Sequence, residues 1–234
     1  QYRSGALQDV PGITDLVRSH GALTVWDASH AVGSIDLRFD EWGVDLAVGC
    51  TYKYVNSGPG APGWLYVNAA RQAELHVPIQ GWFANRDQFA MGPAFVPADG
   101  IRRFQIATPP VIGLRAVRVA TRMIERAGMT AISAKAQQGT DLMIALFDAW
   151  LEPLGFTLLT PRDPAQRGGH ITIGHPDAKQ IAAAMRVLTK TIPDYRVPDS
   201  IRLAISPLPT SYTEVWDGFD RLRGLVDSGR YREV

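Results

Sequence analysis

The chain has 234 residues, with 24 basic against 23 acidic side chains and a single cysteine, Cys50. That near-neutral balance excludes a nucleic-acid binder held by a dense basic face, and one cysteine excludes an intrachain disulfide or a multi-thiolate zinc site. A composition of 46% apolar and 20% charged residues is that of a globular core, not of a disordered chain, and no apolar run approaches the roughly 18 residues of a membrane span.

The opening QYRSGALQDVPG has neither a Met nor a signal-peptide pattern and reads as the middle of a longer protein. Over residues 9–20, Val10, Ile13, Leu16 and Val17 recur at a helical period that Gly21 closes. The apolar run 22–27 predicts a buried strand ending on Asp27, and 44–49 and 63–67 predict two more. Between the last two, TYKYVNSGPGAPG is a Gly/Pro-rich loop. Strands alternating with helices predict an α/β sheet with its chemistry at the strands' carboxyl ends. From Pro109 the texture changes to long amphipathic stretches, 111–127 and 129–151, parted by Gly128. Strands at 156–160, 170–174 and 201–206 and helices at 178–189 and 212–226 complete an α+β pattern. The expected organisation is a larger α/β unit over residues 1–125 and a small α+β unit over 126–234. The tail RLRGLVDSGRYREV reads as a solvated helix end, and Trp150 and Trp216 read as core. His20, His76, His170 and His175 are too scattered for a metal site.

Two features carry potential chemistry. DASHAVG places Asp27 at a strand end with His30 three residues on, and TYKY places Lys53 in a loop after the next buried strand. Pyridoxal phosphate needs a lysine for its aldehyde and a carboxylate that keeps its pyridine nitrogen protonated. By themselves these residues are equally those of a capping Asp and a solvated loop Lys.

The longer pattern discriminates. DASHAVG, WGVD and CTYKYVNSGPGAPG, in that order, resemble the cofactor region of the kynureninases, a fold-type-I pyridoxal-phosphate family in the class-V aminotransferase group. YRSGALQDVPGI, GWFANRDQFAM and SIRLAISPLPTSYTEVW resemble further family segments, so the resemblance runs along nearly the whole chain. Family chains have on the order of 400 residues, so this one corresponds to their C-terminal part. It would lack the phosphate-cradling loop and the aromatic residue that stacks on the cofactor ring.

The resemblance implies a cytoplasmic homodimer with shared active sites, acting on a small amino-acid substrate and binding neither nucleic acid nor membrane. The implied reaction is hydrolysis of L-kynurenine, or its 3-hydroxy form, to anthranilate, or its hydroxylated form, and L-alanine. Lys53 is implied to form the imine and shuttle the α-proton, and Asp27 to pair with the pyridinium nitrogen. His30 is implied to sit near the cofactor's phenolic edge and the substrate, and Tyr52 to contact the phosphate and protonate the β-carbon. Trp82 is implied to lie at the phosphate, reaching across the dimer interface, and Arg202 to clamp the substrate carboxylate. Thr108 is a departure, because many family members carry Asn before the Pro-Pro pair; it leaves the phosphate contact open. The rival within the fold is a cysteine desulfurase or another class-V lyase. A desulfurase needs a reactive cysteine on a mobile loop, whereas Cys50 abuts a strand. The rival outside enzymology is a non-catalytic fragment that kept the fold.

Overall fold

A computed structural model describes residues 1–234. Helix α1, Val10–Ser19, starts where Asp9 accepts the Gly12 N–H at 3.1 Å, and it ends just before Gly21, whose φ of +72° no β-carbon favours. The helix is pinned to the first strand by the Trp26 indole, which donates to the buried Thr14 hydroxyl at 3.1 Å. Strands β1, Val25–Asp27, and β2, Leu46–Gly49, pair in parallel, and β3, Trp64–Val67, returns antiparallel to β2. Buried Asp45 fixes the start of this sheet, accepting from Thr24 N–H at 3.1 Å and from Arg71 Nε at 3.0 Å. The expectation of a buried first strand fails here. β1 pairs on one side only, and Val25 is 66% exposed.

Helices α2, Val111–Ala127, and α3, Met129–Leu146, meet at Gly128, with its φ of +79°, as the sequence break predicts. The chain then continues in wider turns over Phe147–Leu151. Two helices differ sharply in burial. α2 buries only Ala120, whereas α3 sends seven residues inward, Ile132 and Met143 among them.

The second sheet is antiparallel throughout. It contains β4, Thr157–Leu158; β5, His170–Gly174; β6, Asp194–Arg196; and β7, Ser200–Ala204, in the order β4-β5-β7-β6. Helix α4, Ala178–Ala184, packs on it with α3, and helix α5, Tyr212–Asp227, packs against α3 and α4. Ser211 starts α5 with a capping box, accepting from Glu214 N–H while the Glu214 carboxylate accepts from Ser211 N–H. Twenty buried residues between Met143 and Tyr231 form one core. Alternation along the strands sends Ile171, Ile173 and Ile201 into it and leaves His170, Thr172 and Arg202 on the opposite face.

Residues 2–6 run across that opposite face. Thr160 donates to Ser4 O at 2.6 Å, Thr172 donates to Arg3 O, and Gly168 N–H donates to Gly5 O at 2.8 Å. This segment is thereby held to the second sheet. Two further expectations are corrected. The tail is not simply solvated, because Tyr231 is buried and donates to Asp177 at 2.7 Å. Trp150 and Trp216 stack edge to face at 4.5 Å on the rim of the core, and Trp216 stays half-exposed. No helix is long and apolar enough to cross a membrane.

Candidate active site

The turn after β1 carries His30, and the loop after β2 carries Lys53; parallel pairing of Asp27 with Val48 brings the two strand ends side by side. The turn presses against the loop at Gly33, whose φ is +83°; a β-carbon there would sit 2.7 Å from the Tyr54 carbonyl. The loop is fastened by Thr51, whose hydroxyl donates to Pro62 O at 2.7 Å, and by Ser57 N–H, which donates to Thr51 O at 3.0 Å. Across the cleft, β7 supplies Arg202 and β6 supplies Arg196.

These elements enclose a cleft of ≈ 480 Å³ lined by His30, Tyr52, Lys53, Asn56, Arg196 and Arg202, among others. Lys53 Nζ lies 3.3 Å from His30 Nδ1, and His30 Nε2 lies 3.2 Å from Arg202 Nη1. Arg202 is only 12% exposed. Its Nη1 also donates to Tyr2 O at 2.7 Å, and its Nη2 donates to Asp194, which accepts from Arg196 at 2.5 Å as well. His170 stands behind His30 with ring centroids 5.8 Å apart, and the Tyr54 hydroxyl approaches His170 Nδ1 at 3.5 Å.

The electrostatics follow from burial and from three nearby cations. Burial, then the charges of Lys53 and Arg202, bring His30 down to about 4. Burial, then Arg202 and His30, bring His170 down to about 3. Both rings are therefore neutral at pH 7. Burial pushes the Tyr54 phenol up. Hydrogen bonding from Ser29 holds the Asp27 carboxyl below its usual range, with Lys53 and His30 adding to the effect. Asp27 stays ionised while lying within electrostatic reach of Lys53. It lines a neighbouring apolar cavity with Trp26, Leu37 and Phe39, not the cleft itself.

Of the residues singled out from sequence, the structure gathers Lys53, Tyr52, His30 and Arg202 in one cleft and sets Asp27 beside it. Trp82 and Thr108 stand apart from it. Gly81 packs so closely on Ile106 that a β-carbon would lie 1.7 Å from the Ile106 carbonyl oxygen, so Trp82 and Thr108 sit on one neighbouring lobe. Both are exposed there. Sequence reasoning passed over His170, Asp194 and Arg196. The polar alternation of His170 and Thr172 against Ile171 and Ile173 was the available signal for the first. The prolines at 193 and 198 masked the short strand that carries the other two.

Residues 132–222 match the family described as the kynureninase C-terminal domain. The chain is 36% identical over 231 residues to the kynureninase of Burkholderia mallei (strain SAVP1), covering 99% of this chain and 55% of that protein. It is 34% identical over 226 residues to the kynureninase of Pseudomonas fluorescens, covering 97% of this chain and 54% of that protein. The chain thus spans about half the length of the curated relatives it matches. Among solved structures, the apo cysteine desulfurase from Thermococcus onnurineus NA1 superposes with a TM-score of 0.80 at 18% identity, over 96% of this chain and 57% of that one. The lyase C-DES, solved with glycine covalently linked to its PLP cofactor, superposes with a TM-score of 0.79 at 17% identity, over 95% and 58%. At such identities the likeness shows the fold alone: the C-terminal part of the fold-type-I architecture. In sequence, residues 132–222 match the kynureninase C-terminal domain, and nearly the whole chain is similar to about half the length of the kynureninases of Burkholderia mallei and Pseudomonas fluorescens.

Proposed function

We propose that the chain is the C-terminal part of a pyridoxal-phosphate-dependent hydrolase that cleaves L-kynurenine, or its 3-hydroxy derivative, to anthranilate, or the hydroxylated form, and L-alanine. The observation that carries this reading is the meeting of Lys53 and Arg202 across His30, from opposite ends of the chain. The residues present fit the cofactor. Lys53 is the one lysine of the chain's four that lines the cleft, and Asp27 beside it is held ionised. Cys50, partly buried with its Sγ toward Ser29 O, does not line the cleft, which gives no support to a desulfurase.

When bound, the cofactor supplies an electron sink for charge developing on the substrate's α-carbon. The chain's own residues do the rest. Lys53 would hold the cofactor through its aldehyde and would take and return the proton at the substrate's α-carbon. The Asp27 carboxylate, held ionised beside the cleft, would be the group to keep the cofactor's pyridine nitrogen protonated. Arg202 receives the substrate carboxylate on its planar fork. Water adds to the substrate's γ-carbonyl carbon, the bond between the β- and γ-carbons breaks, and the half-exposed Tyr52 hydroxyl, beside Lys53, delivers a proton to the β-carbon that becomes the alanine methyl. Trp82 and Thr108, outside this cleft, are assigned to the phosphate in the site of a second copy, in a cytoplasmic homodimer. Residues 1–125 are assigned to the cofactor-binding unit and 126–234 to the small unit. The core confined to 143–231 supports that division.

Borohydride reduction in the presence of pyridoxal phosphate, followed by peptide mapping, tests the assignment. The label is expected on Lys53 and absent from that peptide in Lys53→Ala. Labelling on Lys135, Lys179 or Lys190 alone, or none, would sink it.

A further inference from the structure

Lys53 follows β2 of the first sheet and Arg202 lies on β7 of the second, so their spacing depends on how the loop after β2 is held to β7. Two residues of that loop reach the second sheet. Tyr54 is buried with its ring against Gly169, where a β-carbon would lie 3.2 Å from the ring. Asn56 lines the cleft, and its Oδ1 accepts from the Ser206 hydroxyl at 2.8 Å. Ser206 lies just past the end of β7 at Ala204, and Ile205 N–H donates to Gly169 O at 3.1 Å, which keeps that extension beside β5.

Asn56 is also fixed within its own turn. Its N–H donates to Lys53 O at 2.9 Å, and its Nδ2 donates to Tyr54 O at 2.7 Å. Its φ is +61°, a left-handed conformation that asparagine tolerates better than most side chains. Of the non-glycine residues held at positive φ, it is the one that lines the cleft. Glycine would meet that backbone requirement with less strain, so the backbone by itself does not call for a side chain here. The amide has one orientation that satisfies both contacts. A peptide carbonyl only accepts, so the amide nitrogen faces Tyr54 O and the amide oxygen is left to accept from Ser206.

We infer that Asn56 is a positioning residue that sets Lys53 against Arg202: its side-chain amide fastens the Lys53 turn to the end of the strand that carries Arg202. The turn and β7 are then held as one piece, which keeps a nucleophile and a carboxylate clamp at a fixed spacing. The consequence for turnover rests on the roles proposed above for Lys53 and Arg202; the link itself does not.

Ser206→Ala isolates the link, because it removes the donor and leaves both turn bonds of Asn56 in place. Asn56→Gly accepts the positive φ and removes the side chain. Amide hydrogen exchange of the chain reads the loop through Ser57 N–H, which donates to Thr51 O, with Ile173 in β5 as the control. Relative to intrinsic rates, Ser57 exchange should rise about three- to fivefold in Ser206→Ala, the effect of losing one partly exposed hydrogen bond, and at least as much in Asn56→Gly. The double variant should exchange no faster than Asn56→Gly, and Ile173 should keep its protection throughout. Unchanged Ser57 exchange in Ser206→Ala overturns the proposal, even where Asn56→Gly responds, because Asn56 would then shape only its own turn. Additive effects of the two substitutions overturn it as well. In the full-length protein, Ser206→Ala should lower kcat for kynurenine by a similar factor while KM and cofactor absorbance stay as they are, a split that general loosening of the fold would not give. An unchanged kcat, or a loss confined to KM, overturns the positioning of Lys53. If the unaltered full-length protein does not turn over kynurenine or its 3-hydroxy form, the proposed function has failed instead, and the exchange result decides the link by itself.

Discussion

Lowering the pH from 7.5 to 5 should destabilise the folded chain measurably through His170. This ring is 2% exposed, and its Nε2 has no hydrogen-bond partner. Its pKa falls from 6.5 to about 3 because burial and the nearby Arg202 and His30 disfavour a charged imidazolium. In the unfolded chain the ring takes a proton as pH drops through about 6.5, while the folded ring stays neutral until about 3. The unfolded state then binds more protons, so stability falls as pH falls. The contribution is fully present above the unfolded value and is lost progressively across the window between the two. By pH 5 the loss from one such ring is about 2 kcal/mol, a large part of an ordinary domain's stability. Carboxylates titrate near 4 in unfolded chains, so the interval from 7.5 to 5 isolates the histidines. His30, also lowered, adds to the total, but its partial exposure discounts its share. Urea unfolding followed by circular dichroism at the two pH values supplies the measurement. His170→Phe keeps the ring's bulk and removes the titrating group. Its loss between pH 7.5 and 5 should be smaller than that of the unaltered chain by about 2 kcal/mol. Parallel pH dependences in the two proteins would refute a buried, neutral His170.

On the proposed reading, Arg202→Ala should lower kcat/KM for kynurenine in the full-length protein by roughly 30-fold or more, the effect of losing about 2–5 kcal/mol from a desolvated charge pair. Arg202→Lys should recover little, since a point charge cannot replace a planar fork; near-normal turnover in either variant would move the carboxylate site elsewhere. Gly81→Ala would drive a β-carbon into the Ile106 carbonyl, so limited proteolysis should open the lobe around residues 81–106 while the core around β5 keeps its resistance. Ser211→Ala removes half of the capping box and should lower stability by about 1 kcal/mol, read from the urea midpoint.

Helices announced themselves in the sequence because their signals are local. Asp9 and Gly21 bracket α1, and Gly128 divides α2 from α3 within a residue of where the pattern broke. Strands β2, β3, β5 and β7 were legible from short apolar runs for the same reason. What the sequence hid depends on pairing between distant residues. β6 has three residues between prolines, and only its register against β7 makes it a strand and puts Asp194 beside Arg202. Burial of β1 was misjudged because an apolar run reports the need for cover, not whether cover is present. The motif order pointed to Lys53, His30 and Arg202 but not to their contacts, since spacing along a chain carries no register between two sheets.

The cleft's charge balance explains why those hidden residues matter. Lys53, Arg196 and Arg202 converge on a space with one acidic partner, Asp194, shared by both arginines. Two charged histidines added to three cations would oppose one another in a partly buried site. Keeping His30 and His170 neutral leaves a positive cleft suited to anions, such as a phosphate or a substrate carboxylate, without crowding cations at its floor. Burial of the two rings therefore sets the acid sensitivity of the fold. A substitution that admits water to this layer, such as Tyr54→Ala beside His170, should raise both histidine pKa values toward 6.5 together. Nitrogen chemical-shift titration of the two rings checks it. A change confined to His170, with His30 still near 4, would show that the cations and not the shared burial hold His30 neutral.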